Sequence, residues 1–316
     1  MVVRLVVLAA AFALAIAVVV AALGDDARMP PPIVAGLPVI GPTIAAAGDI
    51  ACAPESPAFN DGEGRGLECR QKATSDLLLA RYIGVLALGD LQYEDGSHAR
   101  FLESYDASWG RVKSITAPVP GNHEYRTAGA KGYYRYFGTS AGDPAKGYHS
   151  FDIGRWHLVA LNSNCAAVGG CGPGSAQETW LRDDLAANRT RCALAYWHHP
   201  RFSSGLHGSD RTYRAFWQAL YEAGADLVLV GHDHDYERFA PQDANGRRDV
   251  ARGIRQFVVG TGGHSLRTFP RIEPNSEARD RTTFGVLELT LGPAAYAWRF
   301  RPAVGTFTDS GSARCH

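Results

Sequence analysis

Short apolar runs recur along this chain, and five of them end in residues that can bind a metal. Thr43 to Ala47 ends at Gly48-Asp49-Ile50-Ala51, and Ile83 to Leu88 ends at Gly89-Asp90-Leu91-Gln92-Tyr93. Ser114 to Pro120 leads into Gly121-Asn122-His123-Glu124, and Cys192 to Trp197 into His198-His199-Pro200. Asp226 to Val230 leads into Gly231-His232-Asp233-His234. Unbroken apolar runs of this length read as strands buried on both faces, as in mostly parallel sheets. Leu67 to Tyr82, with Leu67, Leu77, Leu78 and Ala80 at helical spacing, predicts a crossover helix that completes a right-handed βαβ unit. Ala99 to Trp109 predicts a second amphipathic helix with Phe101, Leu102, Tyr105 and Trp109 on one side. Ala176 to Asn188 and Asp210 to Ala223 predict two more, the latter capped by Ser209.

Tyr125 to Gly147 is rich in Tyr and Gly and reads as loose. Tyr148 to Ile153 and Trp156 to Asn162 alternate in polarity about Gly154, which predicts an antiparallel hairpin. From Ile254 onward the pattern is strand only: Ile254 to Gly260, Phe284 to Leu291 and Ala294 to Arg301. The expectation is one α/β domain over residues 43–316 that finishes in antiparallel strands.

The N-terminus differs in kind. Arg4 is the only charge before Asp25, and Leu5 to Leu23 is continuously apolar. Residues 1–24 therefore read as an export signal, with a small-residue cleavage site near Ala22 or Gly24, or else as an uncleaved anchor, since the run nearly spans a core of roughly 30 Å. Residues 25–42, rich in Pro and Gly, read as a tether. The cysteines agree with export: six occur, none in Cys-x-x-Cys spacing. Sequence does not choose among their pairings. Cys52–Cys69 and Cys165–Cys171 close short loops and are preferred, which leaves Cys192–Cys315. Asn188-Arg189-Thr190 is a glycosylation site only in a eukaryotic host. With 32 basic and 32 acidic residues among 316, the balance offers nothing for nucleic acid or an anionic membrane surface. A membrane enters only if the N-terminal segment stays uncleaved.

The chemistry lies in the strand ends. In open α/β sheets, reacting groups collect at the carboxyl ends of strands, so the five endings are expected along one sheet edge. Their donors are carboxylate, phenol, amide oxygen and imidazole, with no thiolate, which disfavours a structural zinc and suits two six-coordinate first-row ions. Two such ions about 3.5–4 Å apart can share one aspartate and a nucleophilic water and clamp a tetrahedral anion. The expectation is phosphoester hydrolysis by in-line attack.

These blocks resemble those of the calcineurin-like metallophosphoesterases, and within them the purple acid phosphatases, which read Gly-Asp-x-Gly, Gly-Asp-x-x-Tyr, Gly-Asn-His-Glu/Asp, Val-x-x-His and Gly-His-x-His. The resemblance implies a four-layer α/β/β/α sandwich of two mixed sheets. It implies that Asp49, Tyr93 and His234 bind a ferric ion, and that Asn122, His198 and His232 bind a second ion, iron, zinc or manganese. Asp90 would bridge the two and His123 would contact the phosphate. His207, nine residues after His198, would orient phosphate or protonate the leaving oxygen. Ala51 and Ala195 depart from the blocks at a small position and a packing position. A proline two residues on selects His198 over His199 as ligand, leaving His199 to line the pocket; His264 stays open between a site residue and a surface residue. The function implied is hydrolysis of small phosphomonoesters outside the cytoplasm (secreted, periplasmic or at the cell surface). The rivals are a phosphodiesterase or nucleotidase with the same centre, and a non-catalytic exported metal-binding protein.

Overall fold

The computed structural model describes residues 38–316, apart from Ala80, Thr190 and Arg191. The export segment, most of the tether and the Thr190 of the glycosylation sequence lie outside the described residues. The apolar runs form the expected strands: β1 (Thr43–Ala47), β2 (Gly84–Leu88), β3 (Thr116–Val119), β4 (His149–Ile153), β5 (Trp156–Ala160), β6 (Cys192–Tyr196) and β7 (Leu227–Val230). Beyond them lie β8 (Tyr236–Phe239), β9 (Arg255–Val259), β10 (Ser276–Asp280), β11 (Phe284–Gly292), β12 (Ala295–Val304) and β13 (Ser310–Arg314). One mixed sheet has the order β13-β12-β11-β1-β2-β3, the other β10-β8-β9-β7-β6-β5-β4. The five metal-capable endings are therefore split, three on one sheet and two on the other, rather than lying on a single edge.

Strand alternation separates the layers. Leu158, Leu194, Leu229 and Phe257 join Ile44, Leu86 and Leu289 in the core between the sheets. Their neighbours Val159, Ala195, Val228 and Val258 point the other way, because successive side chains leave opposite faces of a strand. There they meet Leu181 and Leu185 of one helix (Ala176–Ala187) and Phe216 and Leu220 of another (Arg214–Ala223). A helix at Gln71–Asp76 packs on β11 and β12 of the six-stranded sheet. The arrangement is the α/β/β/α sandwich. Among the described residues, no helix is long and apolar enough to cross a membrane.

Four local expectations give way to tertiary contacts. The helix expected over residues 67–82 is confined to Gln71–Asp76. Cys69, tied to Cys52, has left-handed backbone (φ 59°) and pairs with His264 through its N–H, so no helix can run through it. In the second, only His98–Arg100 is α-helical before a wider turn at Phe101–Tyr105. Phe101, Tyr105 and Trp109 are buried as expected, but Leu102 is half exposed. Third, the loose segment contains a helix, Lys131–Phe137, whose Tyr136 and Phe137 pack on Phe101; aromatic burial overrides its weak propensity. Fourth, Asp210 rather than Ser209 caps the last helical segment, accepting from Thr212 N–H at 2.8 Å, while the Ser209 hydroxyl accepts from Ser203 N–H. The antiparallel hairpin about Gly154 forms as read. The disulfides are Cys52–Cys69, Cys165–Cys171 and Cys192–Cys315, the last tying the C-terminus to the start of β6.

Candidate metal centre

The carboxyl ends of the two sheets are joined to each other. Gly48 N–H donates to Val259 O and Gly262 N–H to Gly48 O, both at 2.9 Å, which locks the end of β1 to the end of β9. Asp49, Asp90 and His232 have positive φ (59°, 48° and 71°), a region that L side chains rarely adopt and that clusters at functional sites. Each reverses the chain directly after its strand. Two of the glycines are required by space: a Cβ on Gly121 would lie 2.2 Å from Asp90 Oδ1, and one on Gly89 2.6 Å from His198 Nδ1.

The side chains then converge. Tyr93 Oη lies 2.9 Å from Asp49 Oδ1, 3.0 Å from His234 Nε2 and 3.3 Å from Asp90 Oδ2. Asp90 Oδ2 is in turn 3.2 Å from His198 Nε2, which is 3.2 Å from His232 Nδ1. His234 Nε2 is 3.3 Å from Asp49 Oδ1. Both outer imidazoles are oriented from behind, His198 Nδ1 against Leu88 O and His234 Nδ1 against Ser265 Oγ, each at 2.8 Å; this is how metal-binding histidines are commonly held. The amide oxygen of Asn122 is shielded from solvent and has no hydrogen-bond partner among the described residues. Buried polar atoms are normally paired. An orphaned oxygen between Gly121 and His123, the two residues that pack on Asp90, is what a cation would satisfy, so the donor set fits metal ions.

The electrostatics point the same way. Burial opposes ionisation of Asp90, but the imidazoles of His198 and His123 outweigh it and hold the carboxyl well below 3.8. Asp49 is lowered likewise, by His234 against burial. Burial, with the charges of Asp49 and Asp90, pushes the Tyr93 phenol far above 10, so only a cation would draw off its proton. Burial also lowers His232, and the neighbouring imidazoles add to it, which leaves the ring neutral.

Of the expected substrate residues, His123 lies against the cluster, its N–H donating to Asp90 Oδ1 at 2.8 Å and its Nε2 3.9 Å from Asp90 Oδ2. The His207 ring stacks on His232 at 4.1 Å. Arg267 Nη1 is 2.9 Å from His207 Nε2; a guanidinium can only donate, so this ring carries its proton on Nδ1. His198 and His199 both face the cluster: with His232 they offer ligand atoms that all lie within 4.8 Å of one another. Ser163 Oγ accepts from His199 N–H at 3.1 Å and has His199 Nδ1 at 2.8 Å. His264 does face the site, stacked on Tyr93 with ring centroids 3.6 Å apart.

Two residues have roles not read from sequence. Asp233, between His232 and His234, accepts from His207 N–H at 2.8 Å and Gly208 N–H at 3.3 Å, tying down the loop that carries His207. Glu124 accepts from four backbone N–H groups: Asp90 and Gly121 at Oε2, Leu91 and Gln92 at Oε1, at 2.7–3.2 Å. It fixes the turn after β2 to the turn after β3. Glu124→Gln turns an amide donor against two of these donors. We expect a loss on the order of 3 kcal/mol in urea unfolding, with less metal retained; unchanged stability would remove this role.

With this geometry in view, the family follows from comparison. Residues 44–236 match the calcineurin-like phosphoesterase family. The chain belongs to that family. It is 30% identical to purple acid phosphatase 15 of Arabidopsis thaliana over 175 residues, 49% of this chain and 32% of that protein. It is 27% identical to acid phosphatase type 7 of Homo sapiens over 222 residues, 60% of this chain and 50% of the human protein. The aligned region thus spans half or less of these relatives. Among solved structures, purple acid phosphatase PPD1 from yellow lupin superposes with a TM-score of 0.71 at 18% identity, covering 88% of this chain and 54% of that one. That likeness concerns the fold. As a calcineurin-like phosphoesterase, this chain places every ligand-type residue of the five sequence blocks at the joined strand ends.

Proposed function

We propose that this calcineurin-like phosphoesterase is an exported binuclear metallophosphatase that hydrolyses small phosphomonoesters. One observation carries the reading: Asp90 Oδ2 stands between two donor sets, 3.3 Å from Tyr93 Oη and 3.2 Å from His198 Nε2. Asp49, Tyr93 and His234 would hold one ion, ferric by the phenol donor. Asn122, His198 and His232 would hold the other (iron, zinc or manganese), with Asp90 shared. Such ions supply Lewis acidity toward the ester oxygens and lower the pKa of a water so that it attacks even in acid.

The chain's own groups do the rest. His123, braced with Nδ1 2.6 Å from Glu94 O, directs Nε2 toward the phosphate. His207, its Nε2 held by Arg267, offers a hydrogen bond from Nδ1–H to a phosphate oxygen and so orients rather than protonates. Three disulfides support an oxidising compartment. The test is elemental analysis beside assays across pH of p-nitrophenyl phosphate and its bis-ester. Iron in the protein, an acid to neutral optimum and preference for the monoester are expected, and Tyr93→Phe should abolish any visible charge-transfer band while leaving the fold intact. An alkaline optimum without iron would overturn the ferric assignment, and preference for the bis-ester would favour a diesterase.

A further inference from the structure

A cavity of about 330 Å³ adjoins the donor cluster. It meets the cluster at His199, whose ring lies 4.4 Å from that of His232. Asn164, also in its lining, donates to Pro120 O at 3.1 Å, just before the turn that carries Asn122. The cavity therefore sits beside the half of the centre formed by Asn122, His198 and His232. We propose that it receives the alcohol portion of the ester and selects an uncharged, ring-bearing alcohol, a phenol or a nucleoside; this rests on the phosphomonoesterase reading above.

The lining sets the class. Tyr125 and His199 contribute rings to the lining, and the buried Tyr213 backs His199, its ring 18° apart in plane with centroids 5.8 Å apart. Asn164 and Thr212 add neutral polar groups, and the lining contains no carboxylate, ammonium or guanidinium. A charged alcohol finds no counter-charge in this lining. A flat neutral ring gains apolar and stacking contact. The volume lies at the small end of the roughly 300–1,000 Å³ typical of small-molecule sites.

The walls are also held in place before any ligand arrives. Tyr213 Oη donates to Ser163 O at 3.0 Å, and the Ser163 hydroxyl holds His199. Asn162 Nδ2 donates to Tyr125 Oη at 2.7 Å, and the Cys165–Cys171 disulfide closes the rim loop. Preorganised walls lower the cost of ordering a ligand. Hydrolysis breaks the bond from phosphorus to the alcohol oxygen, adds water across it and leaves a neutral alcohol in the cavity with inorganic phosphate at the centre.

The experiment compares kcat/KM of the metal-loaded protein for phenyl phosphate and adenosine 5′-monophosphate with that for O-phosphoserine. The two ring esters should be favoured about tenfold or more. Ala166→Trp, an exposed position on the rim, and Tyr213→Ala should each cut that preference about tenfold through KM, with thermal unfolding confirming that both variants fold. Equal use of phosphoserine, or a ratio indifferent to Ala166→Trp, overturns the proposal. Calorimetry with adenosine reads the cavity without turnover: binding that Ala166→Trp abolishes supports it, and no binding overturns it. If adenosine binds but no ester is hydrolysed by protein holding two ions, the phosphatase reading has failed and the cavity assignment stands.

Discussion

Asp90→Asn reduces phosphoester hydrolysis by about 10³-fold or more. A metal supplies several kcal/mol toward the transition state, and each 1.36 kcal/mol is tenfold in rate, so losing the shared ligand has a large effect. The reason lies in the position of the carboxylate. It is buried, it touches both Tyr93 and His198, and the neighbouring imidazoles hold it ionised. Asparagine keeps the shape and an oxygen to accept the His123 N–H, but on the proposed reading it removes the negative charge that would let two cations sit side by side. Elemental analysis should then find fewer than two ions per chain while circular dichroism stays native. Full activity with both ions retained would eliminate Asp90 as the shared ligand.

On the proposed reading, removing the metals should change stability in a pH-dependent way as well as end activity. In the stripped protein, burial lowers the affinity of His198 for its proton, but Asp90 more than compensates and raises the pKa from 6.5 to about 9. A base raised on folding contributes stability that is complete below pH 6.5 and is lost as pH rises through about 9, here roughly 3 kcal/mol. Asp49 and Asp90 are lowered, so their contribution is present above pH 3.8 and lost as pH falls through their lower folded values. Chelated protein should therefore be most stable between these limits and markedly weaker in urea at pH 9 than at pH 6. In loaded protein His198 would be a neutral ligand, and the alkaline loss should disappear. Re-adding iron and zinc should restore both stability and turnover. Equal urea midpoints at pH 6 and pH 9 after chelation would show that the His198–Asp90 pair carries none of this stability.

The strands were legible because burial on both faces leaves an unbroken apolar run, and β1, β2, β6 and β7 fall where those runs lie. The short strands β8, β10 and β13 escaped notice. Tyr236-Glu237-Arg238-Phe239 mixes charge into a strand because Arg238 finds Asp309 and Glu237 finds Ser204, and these are partners distant in the chain. The helix at Lys131–Phe137 was hidden for a related reason, since its apolar residues are tyrosines whose burial depends on Phe101 and its neighbours. Within the centre, the ligand-type residues could be read because each directly follows a strand. Glu124 and Asp233 could not, since their partners are backbone N–H groups of other turns, which leave no trace in composition.

By itself, the sequence determined which side chains stand at strand ends, that oxygen and nitrogen donors rather than thiolates predominate there, and where the chain must reverse, because these are local properties of hydrophobic runs and glycine. Only the tertiary structure decided that the endings divide between two sheets and still meet. The bonds from Gly48 to Val259 and from His232 N–H to Asp49 Oδ2 join residues some two hundred positions apart. It alone decided, too, that His198 Nε2 meets Asp90 at 3.2 Å while its Nδ1 rests on Leu88 O, and that the neighbouring His199 is held by the Ser163 hydroxyl, because both follow the same strand and differ in what stands opposite them.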